Sequence, residues 1–250
     1  MSDSIPSCSG NCAEGTTFDI AMAFQPVVDL DERRIYAYEA LVRGPQGQSA
    51  QSVLDQVTPE NRYSFDQSCR VVAIKTASDL GLDRRLNINF MPNAVYHPEA
   101  CLRLTLDVSR QCAFPLENIT FEFTENEKII DRDHLKGIVS TYNRHGFMTA
   151  LDDFGAGYAG LSLLADFVPD VIKLDRALVD GIDTSRNRQA IAAGLMAIAR
   201  ELDMIVVAEG VERAEEVQVL RQMGVTRFQG YYFSRPALGR LVREDEIPVL

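Results

Sequence analysis

No stretch of this chain approaches the roughly 20 consecutive apolar residues that cross a bilayer. The opening residues, MSDSIPSCSGNCAEGTT, lack both the basic start and the apolar run of a secretory signal. The expectation is a protein that stays in the cytoplasm and inserts into no membrane. Cysteine is scarce: Cys8, Cys12, Cys69, Cys101 and Cys112 form an odd set without framework spacing, which argues for reduced thiols. Only Cys8 and Cys12 lie close together. They read either as a redox or metal clip or as free thiols in a flexible tail. No dense Lys/Arg run offsets the net charge of −11, so DNA or RNA held by counterion release is not expected. GxSxG, P-loop and dinucleotide fingerprints are all missing, which removes support for acyl transfer, NTP hydrolysis and hydride transfer. The three histidines, His97, His134 and His145, show no ligand spacing and read as surface or packing residues.

What is present is an alternation. After a short tail, residues 1–20, short β-type runs are each followed by a longer segment of helical periodicity, and no linker divides residues 21–250. The pattern predicts strands at Phe24 to Leu30, Ile35 to Val42, Arg85 to Phe90, Ile119 to Thr124, Phe147 to Asp152, Asp170 to Leu174, Met204 to Ala208 and Thr226 to Tyr232. Eight strands in a chain of 250 residues suit one closed α/β barrel. Only Asp31 to Arg34 separate the first two, too few for a crossover helix, so these should pair antiparallel and make the barrel irregular at its start. Apolar residues three and four apart predict helices over Tyr63 to Leu80, Arg188 to Leu202 and Ala214 to Met223, the first and last followed by glycine.

Placing the strands brings out a second pattern. Glu39, Asn89, Glu122, Asp152, Asp153, Lys173, Glu209 and Gln229 all fall on or near C-terminal strand ends, which in a βα barrel share one face. The run MTALDDFG ends an apolar strand on two carboxylates that could either cap the next helix or reach a metal together. Oxygen ligands without His or Cys point to Mg²⁺ or Mn²⁺ rather than Zn²⁺, and the acidity of the chain suits a phosphate site built on cations. Lys173, inside VIKLD, needs an anionic partner. It is either a salt bridge to Asp175 or Asp153, or a charge-stabilising and proton-transfer group beside a reacting phosphate.

Seven runs then resemble one family closely. YEALVRG contains Glu39-Ala40-Leu41, the tripeptide for which EAL domains are named, and FQPVVD precedes it; FEFTE, LDDFGAGYAGLSLL, VIKLD, VVAEGVE and QGYYFSRP follow in that family's order over residues 22–237. The resemblance implies an irregular TIM-like (β/α)8 barrel that hydrolyses cyclic di-GMP to linear pGpG with two divalent cations, Mg²⁺ or Mn²⁺, while Ca²⁺ binds but supports little activity. By position, it implies Glu39, Asn89, Glu122, Asp152, Asp153 and Glu209 as the metal shell and Lys173 as the catalytic lysine. It makes Gln229 the residue that positions the attacking water, and Gln25, Leu41 and Arg43 the contacts to nucleotide and phosphate. Asp175 and Glu212 resemble partners of the metal ligands. Glu125 resembles the anchor of the glycine-rich DFGAGYAGLS loop, which the resemblance links to a homodimer interface and which otherwise reads as an ordinary βα turn. Two positions depart from the pattern: Gly44 stands where many members have Trp, and Phe90-Met91-Pro92 where a small residue and Ser are common. No sensory or cyclase domain is expected beside this one, so regulation would act through the tail, oligomerisation or a regulatory protein partner. The competing expectation is a catalytically inactive domain serving as a cyclic di-GMP receptor or an interaction module.

Overall fold

The turn between the first two strands sets the topology. Asp29 Oδ1 accepts from the backbone N–H groups of Asp31 and Glu32, each at 3.1 Å, and Arg33 takes a left-handed φ of 53°. Strand β1 (Ala21–Asp29) therefore folds back antiparallel onto β2 (Arg34–Arg43), with Gln25 opposite Glu39. The structure, a computed structural model, describes residues 18–124, 131–155 and 160–247.

From β2 the sheet runs parallel through β3 (Arg85–Asn89), β4 (Ile119–Thr124), β5 (Met148–Phe154), β6 (Val171–Leu174), β7 (Ile205–Ala208) and β8 (Arg227–Phe228). Strand β8 then meets β1 antiparallel, closing an eight-stranded barrel with one reversed strand, as the short first connection requires. The last strand is shorter than the expected Thr226 to Tyr232. Its pairing stops because Phe233 and Ser234 both donate to Gly230 O at 3.1 Å, turning the chain away. A ninth strand, β9 (Ala237–Leu238), which its neighbouring proline conceals in the sequence, pairs antiparallel with Ala23 and Phe24.

Helices α1 (Ala50–Leu54), α2 (Arg62–Asp79), α3 (Pro98–Gln111), α4 (Arg132–Arg144), α5 (Gly160–Leu164), α6 (Arg176–Val179), α7 (Arg186–Glu201) and α8 (Ala214–Gln222) fill the crossovers. Their apolar stripes, including Ile74, Leu102, Ile138, Leu195 and Leu220, share one core with strand residues such as Leu86 and Phe121. No helix among the described residues is long and apolar enough to cross a membrane. A second, smaller core unites Val27, Ala37, Ala150, Val171 and Val207, each from a different strand. Two residues along from these, on the same strand faces, stand Gln25, Glu39, Asp152, Lys173 and Glu209. Period-two alternation thus stacks a polar layer on a small apolar one.

One charged pair belongs to the scaffold. Asp66 and Arg70 on α2 are 2% and 0% exposed and meet at 2.8 Å. Arg70 also donates to the Tyr142 hydroxyl at 2.9 Å and lies 4.8 Å from the Phe121 ring centre, while Asp66 accepts from Met91 N–H at 2.9 Å. Burial raises the Asp66 carboxyl, and Arg70 works against that rise. The pair ties α2 to the loop after β3, just beyond Asn89. Arg70→Leu should cost about 3–5 kcal/mol in denaturant unfolding because it strands a buried carboxylate. A loss within error of zero would contradict this role.

Candidate active site

All eight of the strand-end residues converge. Lys173 Nζ, 1% exposed, lies 2.6 Å from Glu209, 2.8 Å from Glu122, 3.1 Å from Asp152 and 3.3 Å from Glu39. These four carboxylates, and neither Asp175 nor Asp153, are its ion-pair partners, which corrects the salt bridge expected from the sequence. Asp175 instead caps α6, accepting from Ala177 N–H at 2.8 Å. Separation in the chain hid the true partners, since Glu39 and Lys173 are 134 residues apart.

The surrounding amides are held by the same carboxylates. Asn89 Nδ2 donates to Glu39 Oε1 at 2.8 Å, and Gln229 Nε2 donates to Glu39 Oε2 at 2.8 Å and to Gln25 Oε1 at 3.2 Å. Asn87, not among the strand-end residues expected from the sequence, donates to Glu122 Oε1 at 2.7 Å. It was detectable: in the run RLNIN, two asparagines two residues apart share a strand face. The buried Oδ1 of Asn87 and Oε1 of Gln229 have no hydrogen-bond partner among the described residues, so two acceptors remain for a ligand.

The carboxylates form two overlapping groups. Oxygens of Glu39, Glu122 and Asp152 lie within 4.8 Å of one another, as do those of Asp152, Asp153 and Glu209, with Asp152 in both. Neighbouring strand residues ordinarily point to opposite faces. Here Asp153 takes a φ of 53°, where the β5–β6 register shifts between Leu151 and Phe154, and both carboxylates reach one site. The two carboxylates thus stand close enough to reach one ion together. One ammonium faces four carboxylates, leaving three negative charges uncompensated if all ionise. Burial pushes Glu122 up to about 8 against the pull of Lys173, and burial with Asp152 raises Glu209 as well. Burial would lower the Lys173 ammonium, but Asp152, Glu122, Glu209 and Glu39 outweigh it and hold the group charged. An oxygen-only donor set with excess negative charge and orphaned amide acceptors fits hard divalent cations.

The site opens into a cavity of about 300 Å³, whose wall includes Asp175, Glu212 and Tyr231. Glu212 pairs with Arg176 at 2.7 Å. Leu41 and Arg43 lie instead with Asn89 along an apolar cavity of about 340 Å³, and Arg43 Nη1 donates to Val42 O at 2.6 Å. Glu125, Cys8 and Cys12 fall outside the described residues. Among the histidines, His134 bonds Val95 O and His145 meets Glu99 at 2.8 Å, and neither belongs to a ligand cluster among the described residues.

A family model described as the EAL domain matches residues 16–236. Among solved structures, a standalone versatile EAL protein from Vibrio cholerae O395, in its c-di-GMP bound form, has a TM-score of 0.89 at 47% identity, covering 92% of this chain and 97% of that one. Klebsiella pneumoniae BlrP1, in a manganese/cy-diGMP complex, has a TM-score of 0.84 at 37% identity, covering 89% of this chain and 57% of its own. The blue light- and temperature-regulated antirepressor BluF of Escherichia coli (strain K12) is 34% identical over 91% of this chain. The probable cyclic di-GMP phosphodiesterase PdeG of the same organism is 31% identical over 87%. The chain spans 57% and 45% of the lengths of these two curated relatives.

Proposed function

Because this chain belongs to the EAL domain family, we propose that it is a cyclic di-GMP phosphodiesterase, opening its substrate to linear pGpG with two divalent cations. The observation that carries the proposal is the pair of carboxylate groups sharing Asp152 around a buried lysine. Glu39, Glu122 and Asp152 would hold one cation and Asp152, Asp153 and Glu209 the other, with Asn89 beside the first. Bound cations supply Lewis-acid charge to the phosphate and acidify the attacking water.

The chain's own groups do the rest. Gln229, gripped by Glu39 and Gln25, has Oε1 free to accept from the attacking water and orient it. The water forms the new P–O bond as the bond to the 3′ oxygen breaks, and a proton passes to that leaving oxygen. Lys173 Nζ sits among the ligands with its charge held by four carboxylates, so it can donate to the phosphate as negative charge builds. Arg43 and Leu41, beside Asn89, would steady a phosphate and a nucleoside. A homodimer in a cytoplasmic setting belongs to the same reading.

Likeness to an antirepressor favours a second reading, a catalytically weak or inactive domain that acts as a cyclic di-GMP receptor or a protein-interaction module. The complete carboxylate set weighs for the enzyme. EDTA should abolish turnover, Mg²⁺ or Mn²⁺ should restore it, and Ca²⁺ should restore little because its longer bonds and looser geometry misalign water and phosphate. Turnover unchanged in chelator would sink the metal assignment.

A further inference from the structure

The apolar cavity of about 340 Å³ beside Asn89 does not match the chemistry above. It lies outside the barrel wall rather than within the polar layer. Ala40 and Val42 alternate with Glu39 along β2, and Ile88 stands between Asn87 and Asn89 on β3, so all three face the helices. From the other side α1 contributes Leu54, and α2 contributes Phe65, Cys69 and Ala73. Phe90 and Met91, at one of the two positions that depart from the family pattern, join the wall.

This wall offers little to a hydrogen-bonding guest. Its buried carboxylate, Asp66, is already committed to Arg70 at 2.8 Å and to Met91 N–H at 2.9 Å. Burial pushes the Cys69 thiol far up, so it behaves as a small apolar group. A nucleobase edge placed there would lose its water partners without replacement, whereas methylenes gain from the transfer. One charge stands at the margin. Arg43 donates from Nη1 to Val42 O at 2.6 Å, and among the described residues no carboxylate lies within ion-pair reach of it. Apolar walls with a single guanidinium at the edge complement a molecule of the reverse build, an aliphatic chain ending in an anion.

We propose that this cavity binds an aliphatic carboxylate, with its chain between α2 and the outer face of β2 and β3 and its head group on Arg43. At about 30 Å³ per methylene, the share of liquid volume that a water takes, the cavity accepts roughly ten carbons. Binding should therefore strengthen about fourfold per carbon from hexanoate to decanoate and level off beyond. Arg43 and Leu41 are also the proposed phosphate and nucleoside contacts, so decanoate should raise KM for cyclic di-GMP and keep kcat; this consequence alone rests on the phosphodiesterase reading. Isothermal titration of the full chain with the carboxylates and with decanol, in EDTA and below micelle formation, reads the site without turnover. Leu54 is 37% exposed on α1, so it can be changed with little risk to folding. Leu54→Glu should weaken decanoate about tenfold or more by setting a like charge in the wall. Ala73→Leu, which carries a larger side chain into the cavity, should do the same and leave hydrolysis of cyclic di-GMP at the parental rate. Arg43→Gln should weaken decanoate but not decanol. No saturable binding of decanoate by the parent, affinity that does not rise with chain length, or parental affinity in both Leu54→Glu and Ala73→Leu overturns the site. Saturable, length-dependent binding by a parent that leaves cyclic di-GMP uncleaved supports the site and defeats only the enzyme.

Discussion

Asp152→Asn should remove nearly all turnover of cyclic di-GMP while the protein melts no earlier than the parent. Asp152 is the carboxylate common to both groups, so its loss weakens both proposed cation sites at once. The amide keeps the shape and can still accept from Asp153 N–H, a bond of 3.0 Å, so the strand end should not rearrange. Cation charge on a reacting phosphate is worth several kcal/mol, and each 1.36 kcal/mol is tenfold in rate, which sets the expected loss at about 10³-fold or more. Stability moves the other way. The substitution gives up one contact to Lys173 but relieves repulsion with Glu39, Glu122 and Glu209, and Lys173 keeps three other partners. Chromatographic rates and a thermal melt in EDTA together check the pair of expectations. A variant with parental kcat would show that Asp152 holds no catalytic cation.

Lys173→Ala has the opposite signature. It removes the one ammonium from a buried cluster, and breaking such pairs by deleting one partner costs about 3–5 kcal/mol. Stability measured without metal should fall, and added Mg²⁺ or Mn²⁺ should raise the melting temperature of the variant more than that of the parent, because the cations take over the lost charge. Even with metal present, kcat should stay about 10²- to 10⁴-fold low, since the lysine acts mainly as charge develops. KM should change far less. If metal restored both stability and kcat, Lys173 would be a structural counter-ion only.

The contrast between these variants follows from features that the sequence exposes unequally. Alternation with period two shows Glu39, Asp152 and Lys173 facing one side, because each follows a small apolar residue by two positions, and Glu122 stands likewise two positions after the buried Thr120. The antiparallel first strand is legible from the length of one connection. Which carboxylates surround Lys173 is not legible, since that depends on barrel closure bringing distant strands together. Nor does the spacing of Asp152 and Asp153 reveal the left-handed φ at Asp153 that turns both toward one site. Strand β8 was overestimated because the apolar, aromatic run beyond Phe228 suits a strand as well as the turn that Gly230 makes. Asn87 shares its strand face with Asn89 but lies one alternation deeper, where a polar side chain suits a buried hydrogen bond as well as a site.

The fate of cyclic di-GMP separates the enzyme from the receptor most directly. Purified protein incubated with cyclic di-GMP and Mg²⁺ or Mn²⁺, with products separated by chromatography, should convert it to linear pGpG, and parallel Asp152→Asn samples should leave it intact. Cyclic di-GMP recovered unchanged from the parent, although equilibrium binding shows it occupied, would contradict the proposed enzyme and establish the receptor in its place.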